Sequence, residues 1–426
     1  MSMDDGQEVI AKIPNPNAGV PHFTTASEVA TMDFARKILD TPVPRVYAWN
    51  SQAESHPVGA EFIIMDKTEG VPLSQVWGTM KLPQKLQEDV HPPAGNHFVK
   101  EGKVVRDSEF AIGPATGRDW YDAGRSNLHV EKGPFATRDL KAILSLEPPK
   151  QIALFCGPKL YRPDTQKKIT ALAWYRQIID ALIPKDTTIT RPCVWHNDLH
   201  DDNVFVDPQN PENTTGIIDW QSCHISPLFN HNPDPAFLNW DGLEPETLDL
   251  APRPSLSGLS PGERAAAVHE YTVQNVFVGW RKLMHAKNPD LYRVIEFRNT
   301  AAYGLIFPAH RIFEYGEAHF LSLLVDLKDT WTNLPAVASD TPFPFDFSDA
   351  DIERIKLDSN GAVAATELVA GVKERMGDLW PDKGFIEHER YDDCKVALRE
   401  VKDMILEQLA ETDEEKAEYE RYWPFD

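Results

Sequence analysis

The chain has 426 residues, of which 42% are hydrophobic and 26% are charged. This length and composition exclude a disordered tail and a small disulfide-stabilised protein, and they are sufficient for two lobes or domains. The 43 basic and 66 acidic residues give a net charge of −23, which disfavours binding to nucleic-acid phosphates or to an anionic membrane surface. The charge suits a soluble protein whose ligands are cationic, neutral or bridged by metal ions.

The cysteines and the N-terminal residues bear on the compartment. The four cysteines lie far apart and form no CxxC pair, which indicates a reducing compartment and argues against a structural zinc site. No apolar stretch approaches the roughly 18 residues that a membrane span needs. The first thirty residues have neither the apolar core of a signal peptide nor the Arg-rich character of a transit peptide.

The beginning of the chain is predicted to run strand, helix, strand, strand. A turn ending at Gly6 leads into a strand over residues 7–13. Two further strands are predicted over 43–49 and 61–65, and the apolar character of the second indicates that it is buried.

A helix is predicted between the first two of these strands. It begins at Thr24 or Thr25, and Pro42 follows its end. Spacings of 4, 3 and 4 place four of its residues on one face: Glu28, Met32, Ala35 and Leu39.

The rest of the chain is predicted to be mainly helical. Residues 82–150 are rich in Pro, Gly and charge and give no clear pattern. An amphipathic helix is predicted over 169–182, and helical patterns recur over 265–285 and 301–329. The charge-dense segment 411–420 is predicted to be a solvated surface helix.

The densest chemistry lies between Val194 and Gln221. Two short apolar runs in this segment are predicted to pair as a hairpin, which brings Asp198, Asn203 and Asp219 to one end. Two carboxylates and an amide oxygen form a site suited to Mg²⁺. One carboxylate could then orient or deprotonate a hydroxyl while the other groups hold the metal on phosphate oxygens.

Each residue of this set also has a simpler interpretation. Asp198 and Asn203 could be turn formers, and Asp219 could cap a turn. His196 and His200 stand at i and i+4, as metal ligands can, but no third ligand completes a known pattern. We therefore expect His196 to brace the loop, with both histidines structural.

The whole set resembles the catalytic loop of protein kinase-like phosphotransferases, in particular the aminoglycoside phosphotransferase and choline kinase branch. The matching pattern is H-x-D-L-H-x-x-N over residues 196–203, followed by I-D-W over 218–220. The resemblance implies an α+β, protein kinase-like fold with two lobes. A small β-rich lobe would occupy residues 1–66, and a larger, mainly helical catalytic and substrate lobe residues 67–426. It also implies ATP and Mg²⁺ as cofactors and transfer of the γ-phosphoryl group to a hydroxyl.

A kinase-like fold needs a strand lysine for the nucleotide phosphates and a helix glutamate that positions it. Val9-Ile-Ala-Lys12 resembles the lysine strand, and Glu28 follows in the predicted helix. The alternatives are an exposed strand lysine for Lys12 and a capping box, Thr25-x-x-Glu28, for Glu28.

The resemblance also places an inter-lobe hinge after the buried strand over 61–65. Backbone groups of Met65 to Lys67 would hydrogen-bond adenine there. The alternative is an ordinary buried strand.

A narrower resemblance is to the altered-inheritance-of-mitochondria phosphotransferase-like proteins of fungi. It is carried by segments spread along the chain: Lys12-Ile-Pro, Phe110-x-Ile-Gly-Pro114, Arg118-Asp-Trp120 and Pro227-Leu-Phe229. This resemblance implies a mitochondrial location and does not supply a substrate.

Two features depart from that family. Kinase-like folds place a glycine-rich hairpin before the lysine strand, where its N–H groups cradle phosphates, but only Gly6 precedes Lys12. We therefore expect the small lobe to be truncated, without its first two strands, the glycine-rich hairpin or any mitochondrial presequence. The segment after the hinge is also short, because 84–90 runs directly into a Pro-rich stretch at 91–95.

The phosphoryl acceptor is an unknown small molecule. A strongly acidic helical lobe favours a cationic one, for which Trp220 and Trp240 could form a cation–π wall, although such residues are more often packed. The main alternative is a pseudokinase-like scaffold of the same fold, which the missing glycine-rich hairpin favours. A metal-dependent hydrolase using His196, His200 and Asp219 ranks third.

Overall fold

The computed structural model describes residues 1, 3, 6–15, 19–85, 99–100, 103–104, 116–117, 161, 164–221, 223–238, 240, 242–312, 316–380, 386–421 and 423. These residues form two compact units. Unit 1 takes the described residues of 1–122 and 186–298, and unit 2 takes those of 137–185 and 299–426. This division does not test the predicted lobe boundary at residue 66, which stays a prediction. The motifs at 110–114 and 118–120 and the shortened segment over 86–95 lie outside the described residues.

The described strands all belong to unit 1. They are β1 (Val9–Lys12), β2 (Val46–Asn50), β3 (Phe62–Asp66), β4 (Val71–Pro72), β5 (Val99–Lys100), β6 (Lys103–Val104), β7 (Pro192–Trp195), β8 (Val204–Val206), β9 (Thr214–Ile217) and β10 (His224–Pro227).

Helices occur in both units. Those of unit 1 are α1 (Phe23–Lys37), α2 (Ser74–Trp77), α3 (Leu82–Lys85), α5 (Thr187–Thr190), α6 (Pro261–Lys287) and α7 (Pro289–Arg298). Those of unit 2 are α4 (Thr165–Leu182), α8 (Ala301–His310), α9 (Ala318–Leu327), α10 (Asp349–Met376), α11 (Tyr391–Leu409) and α12 (Asp413–Arg421). Small antiparallel sheets with a mostly helical remainder confirm the predicted α+β class.

The first sheet of unit 1 carries α1 on one face. Its strand order is β1-β3-β2, with both pairings antiparallel. The apolar residues that β3 and α1 contribute to the core between them are Val29, Met32, Ala35, Ile63 and Met65. Because Glu28 shares the helical face of Met32 and Ala35, this packing draws its side chain into the protein.

A second sheet holds the segment with the densest chemistry. Its order is β4-β8-β9, and the hairpin of β8 and β9 pairs Val204 with Ile217. The adjoining β7 pairs with β10 in a separate two-stranded sheet. The predicted hairpin is thus present.

The predicted turn before the first strand is also present. Gly6 has a φ of +83°, which glycine adopts without steric cost, and its N–H donates to the Met3 carbonyl oxygen. Met1 and Val9 exchange two backbone hydrogen bonds across this turn. The chain therefore folds back on itself just before β1.

Two helical predictions in unit 2 need correction. The helical stretch expected over 301–329 divides into α8 and α9, with Gly316 in the left-handed region between them. The charge-dense α12 is not wholly solvated, because Tyr419 is fully buried and Trp423 packs in the core between α10 and α11. The acidic helix α12 therefore also buries one aromatic side chain, that of Tyr419.

Among the helices that the structure describes, none combines the length and the apolar character needed to cross a bilayer.

Candidate active site

Three charged side chains from distant parts of the sequence meet in unit 1. The Lys12 ammonium lies 2.7 Å from Glu28 Oε1 and 2.6 Å from Asp219 Oδ1. Lys12 is the last residue of β1, Glu28 lies in the second turn of α1, and Asp219 follows the end of β9. The structure thus brings together three of the predicted site residues.

Burial sets the electrostatics of this group. The Glu28 side chain is only 2% exposed, and this burial raises its pKa, which the Lys12 ammonium counteracts. Burial lowers the pKa of Lys12, but the two carboxylates outweigh that effect and raise it above its ordinary value. Lys12 therefore keeps its positive charge at neutral pH. It is not an exposed strand lysine.

The N-terminus of α1 explains how Glu28 is held in place. The alternative prediction, a capping box between Thr25 and Glu28, is wrong, because α1 begins at Phe23 and the Glu28 carboxylate is bound to Lys12. Thr25 Oγ1 instead donates to Glu61 Oε2 at 2.5 Å, and Glu61 Oε1 accepts from the His22 N–H at 2.8 Å. A carboxylate just before β3 therefore anchors the first turn of α1 to the sheet.

The hairpin of β8 and β9 brings the other predicted groups close to Asp219. Asn203 directly precedes β8, and its carbonyl oxygen accepts from the Ile218 N–H at 3.0 Å. The Asn203 amide Nδ2 donates to the Asp198 carbonyl oxygen at 2.9 Å. Because the nitrogen of this buried amide is used within the loop, its oxygen is the atom that could bind a cation.

Asp198 and Asp219 differ in their surroundings. The Asp198 side chain is 65% exposed, which leaves it open to a substrate, and His200 Nε2 lies 3.8 Å from its Oδ2. Asp219 has a φ of +59°, an uncommon conformation that costs less for Asp than for most residues. The chain reverses there so that the carboxylate meets Lys12.

His196 holds the loop over residues 196–203 against the segment that contains Asp219. Its Nε2 lies 2.9 Å from the Ile218 carbonyl oxygen, and its ring contacts the edge of Trp220 at 4.8 Å. Burial lowers the pKa of His196, so a neutral imidazole donates to this carbonyl.

The oxygen donors fit a magnesium ion. Asp219 supplies a carboxylate, Asn203 an amide oxygen, and the Lys12 ammonium shows that the Asp219 carboxylate already pairs with a cation. A second group of potential metal ligands, His200, Asp201 and Asp202, was missed by sequence reasoning. These three are not buried, and the contacts of Asp202 with Ser74 and with His200 Nδ1 account for their arrangement as a loop structure.

In the predicted adenine hinge, two backbone N–H groups already form hydrogen bonds within the protein. The N–H of Asp66 donates to the Arg45 carbonyl oxygen, and the N–H of Lys67 donates to that of Glu8. The Lys67 ammonium lies 2.7 Å from the Glu8 carboxylate. The Met65 side chain is buried against α1. The nucleotide-binding role of Met65 and Lys67 stays a prediction.

Trp220 and Trp240 do not form a cation–π wall, and both are packed instead. Trp220 is buried and donates its indole N–H to the Ile217 carbonyl oxygen. Trp240 stacks on Phe277 with ring centres 5.6 Å apart. An apolar recess lies beside Leu199 and Trp77, and no acidic side chain is among the residues that line it.

The chain is similar in sequence to several known proteins. Residues 101–230 match the model of a family described as the phosphotransferase enzyme family. A subtelomeric hrmA-associated cluster protein of Aspergillus fumigatus is 28% identical over 307 residues, covering 59% of this chain and 60% of that protein. Altered inheritance of mitochondria protein 9 of Saccharomyces cerevisiae is 24% identical over 414 residues, covering 81% of this chain and 65% of that protein. The chain thus spans less than two thirds of the length of these relatives.

Among the solved structures that match this chain is a protein of Ralstonia eutropha described as an aminoglycoside phosphotransferase. It is 14% identical with a TM-score of 0.32, and the match covers 85% of this chain and 87% of that protein.

Proposed function

We propose that the chain is an ATP-dependent phosphotransferase of the aminoglycoside phosphotransferase and choline kinase-like superfamily, which transfers the γ-phosphoryl group to a hydroxyl of a small molecule. The observation that carries this proposal is the convergence of Lys12, Glu28 and Asp219 within 2.7 Å contacts. These residue types are the ones that such a reaction requires around the nucleotide phosphates.

Each residue has a role that follows from its position. Lys12 would bind the phosphates, and the buried Glu28 would hold its ammonium in place. Asn203 and Asp219 would hold Mg²⁺, which when bound neutralises charge on the phosphate oxygens. Positioning of these groups before the reaction accounts for most of the expected rate gain.

The exposed Asp198 would act on the acceptor. Its carboxylate would orient the hydroxyl and accept the proton as the hydroxyl oxygen bonds to the γ-phosphorus. The bond between that phosphorus and the bridging oxygen of ADP would break in the same displacement. His196 and Asn203 would keep Asp198 and Asp219 in register through their contacts with the loop.

The acceptor is proposed only as a hydroxyl compound of small size. The net charge of −23 favours a cationic one, and a panel of amino sugars, amino alcohols and neutral polyols would test this preference. A mitochondrial location is proposed from the similarity to altered inheritance of mitochondria protein 9. Fractionation of cells expressing a tagged full-length protein would test it.

A scaffold of the same fold that does not turn over substrate is the second candidate. It is favoured by the hinge, where the N–H groups of Asp66 and Lys67 already donate to protein carbonyl oxygens. Adenine could not accept from either group without breaking its backbone hydrogen bond to Arg45 or Glu8.

Thermal unfolding with ATP and Mg²⁺ separates these candidates. A ligand that binds only the folded state raises the melting temperature, so we expect a Mg²⁺-dependent rise with the native chain and none with Asp219→Asn. Asp249→Asn, an exposed change in the same unit, should behave as the native chain does. No shift at millimolar ATP would contradict the phosphotransferase proposal.

A turnover measurement then distinguishes an enzyme from a nucleotide-binding scaffold. Phosphate transfer from labelled ATP to the acceptor panel should fall by about 10²- to 10⁴-fold in Asp198→Asn. ATP binding should stay unchanged in that variant, because Asp198 is exposed and makes no contact with Lys12. Binding without any turnover across the panel would favour the scaffold.

A further inference from the structure

The position of the Lys12 ammonium has a consequence for metal binding. Its nitrogen lies 2.6 Å from Asp219 Oδ1, the carboxylate that would have to bind Mg²⁺. The same nitrogen contacts Glu28, so a single cation bridges two carboxylates. We propose that Lys12 acts as a built-in counter-ion that blocks divalent metal binding at Asp219 until a nucleotide draws the ammonium away.

Electrostatics explains the block. A divalent ion bound to Asp219 would lie within a few ångströms of the ammonium, and the two positive charges would repel each other. Solvent screens this repulsion poorly, because Lys12 is only 22% exposed and Glu28 only 2%. Even at the dielectric constant of water, the repulsion between a divalent ion and an ammonium group about 4 Å away weakens metal binding by at least about tenfold.

Nucleotide phosphates would relieve the block. Their negative charge would compete with Asp219 for the ammonium while also compensating the charge of the metal. The metal would therefore enter together with the nucleotide rather than before it. This order of binding rests on the proposed function, since it requires the site to accept a nucleoside triphosphate.

Removal of the ammonium tests the block directly. Binding of Mn²⁺ to the full chain without nucleotide can be measured from the electron paramagnetic resonance signal of the free ion. We expect Lys12→Met to bind Mn²⁺ at least about tenfold more tightly than the native chain, because Asp219 is then unmasked. The gain should disappear in the double variant Lys12→Met with Asp219→Asn.

A matched control is available at the end of α1. Lys37 also pairs with a carboxylate at 2.6 Å, that of Asp33, but on the exposed surface. Lys37→Met should leave Mn²⁺ affinity unchanged. Equal affinity of Lys12→Met and the native chain would overturn the proposal, as would Mn²⁺ binding to the native chain that is lost in Asp219→Asn.

A second variant covers the case in which Lys12→Met does not fold. Lys12→Gln keeps a hydrogen-bond donor toward Glu28 but removes the charge, and circular dichroism would establish that it is folded. The native-chain measurement needs no variant at Lys12 and tests the proposal in either case.

Failure of this proposal and failure of the proposed function have different results. If the native chain binds no ATP but Lys12→Met gains Mn²⁺ affinity, the function is wrong and the block stands. If ATP binds and Lys12→Met shows no gain, the block alone is wrong.

Discussion

The side-chain amide of Asn203 donates a 2.9 Å hydrogen bond to the backbone carbonyl oxygen of Asp198. This bond closes the loop that separates the candidate base from the candidate metal ligand. Asn203 is 5% exposed, so water cannot replace the bond if it is lost. The amide thus joins the two functional positions and also orients its own oxygen.

Replacement of Asn203 by Asp should reveal this structural role. The new carboxylate has no hydrogen to donate and would face a carbonyl oxygen in a buried position. We expect the free energy of unfolding, measured in urea, to fall by about 1–3 kcal/mol.

Asn210→Asp provides a control in the exposed loop of the same hairpin, and it should change stability by less than about 0.5 kcal/mol. An Asn203→Asp chain as stable as the native one would show that the bond does not support the fold. The role of Asn203 would then rest on metal binding alone.

A second prediction concerns the anchor of α1. Glu61→Ala removes the acceptor of both the His22 N–H and the Thr25 hydroxyl. We expect the first turn of α1 to exchange its amide hydrogens faster and the free energy of unfolding to fall by about 1 kcal/mol. Since α1 carries Glu28, the affinity for ATP should also fall.

Glu54→Ala is the matched control, because Glu54 is exposed and lies in the same connection between β2 and β3. It should alter neither hydrogen exchange in α1 nor ATP affinity. Thr25→Val, which removes only the hydroxyl, should reproduce part of the Glu61→Ala effect. If Glu61→Ala weakened ATP binding without any change in α1, the anchor would not be the cause.

The sequence was informative where function imposes fixed spacing. Lys12, Glu28 and Asp219 could be assigned to one site through the resemblance to kinase-like phosphotransferases, which need a strand lysine, its helix glutamate and a metal ligand. The hairpin of β8 and β9 followed from two short apolar runs. Such a hairpin is a local pattern, and local patterns are what a sequence displays directly.

Contacts between distant residues could not be read in the same way. Thr25 and Glu28 formed a sound local capping motif, but the hydroxyl of Thr25 bonds to Glu61, which is 36 residues away. The buried Arg281 pairs with Asp234 and Glu244, which lie 47 and 37 residues away. Periodicity identifies the buried face of a helix but not the partner that this face meets.

Backbone pairing likewise decides the state of the hinge. The apolar run over 61–65 predicted a buried strand, and β3 is one. The sequence could not show that the N–H groups of Asp66 and Lys67 donate to the carbonyl oxygens of Arg45 and Glu8. That pairing depends on the register of the strands.

The last prediction concerns the pH dependence of stability in unit 1. His231 is 2% exposed, stacks on Trp195, and its Nε2 lies 3.1 Å and 3.2 Å from the carbonyl oxygens of Cys193 and Ser226. Because two acceptors face Nε2, this nitrogen carries the hydrogen and joins β7 to β10. Burial, with a smaller contribution from His224, lowers the pKa of His231 to about 4.

The unfolded chain therefore takes up a proton at His231 near pH 6.5, whereas the folded chain does so only near pH 4. The stability that the neutral ring contributes is complete above pH 6.5 and is lost progressively as the pH falls toward 4. In urea unfolding at pH 7.5 and 5, we expect this loss to be about 2 kcal/mol. His231→Gln keeps a donor for the carbonyl oxygens but cannot titrate, so its loss should be smaller by that amount. His269→Gln, an exposed change in α6, should lose as much stability as the native chain does. Equal losses of stability in His231→Gln and the native chain would show that His231 does not cause the acid sensitivity.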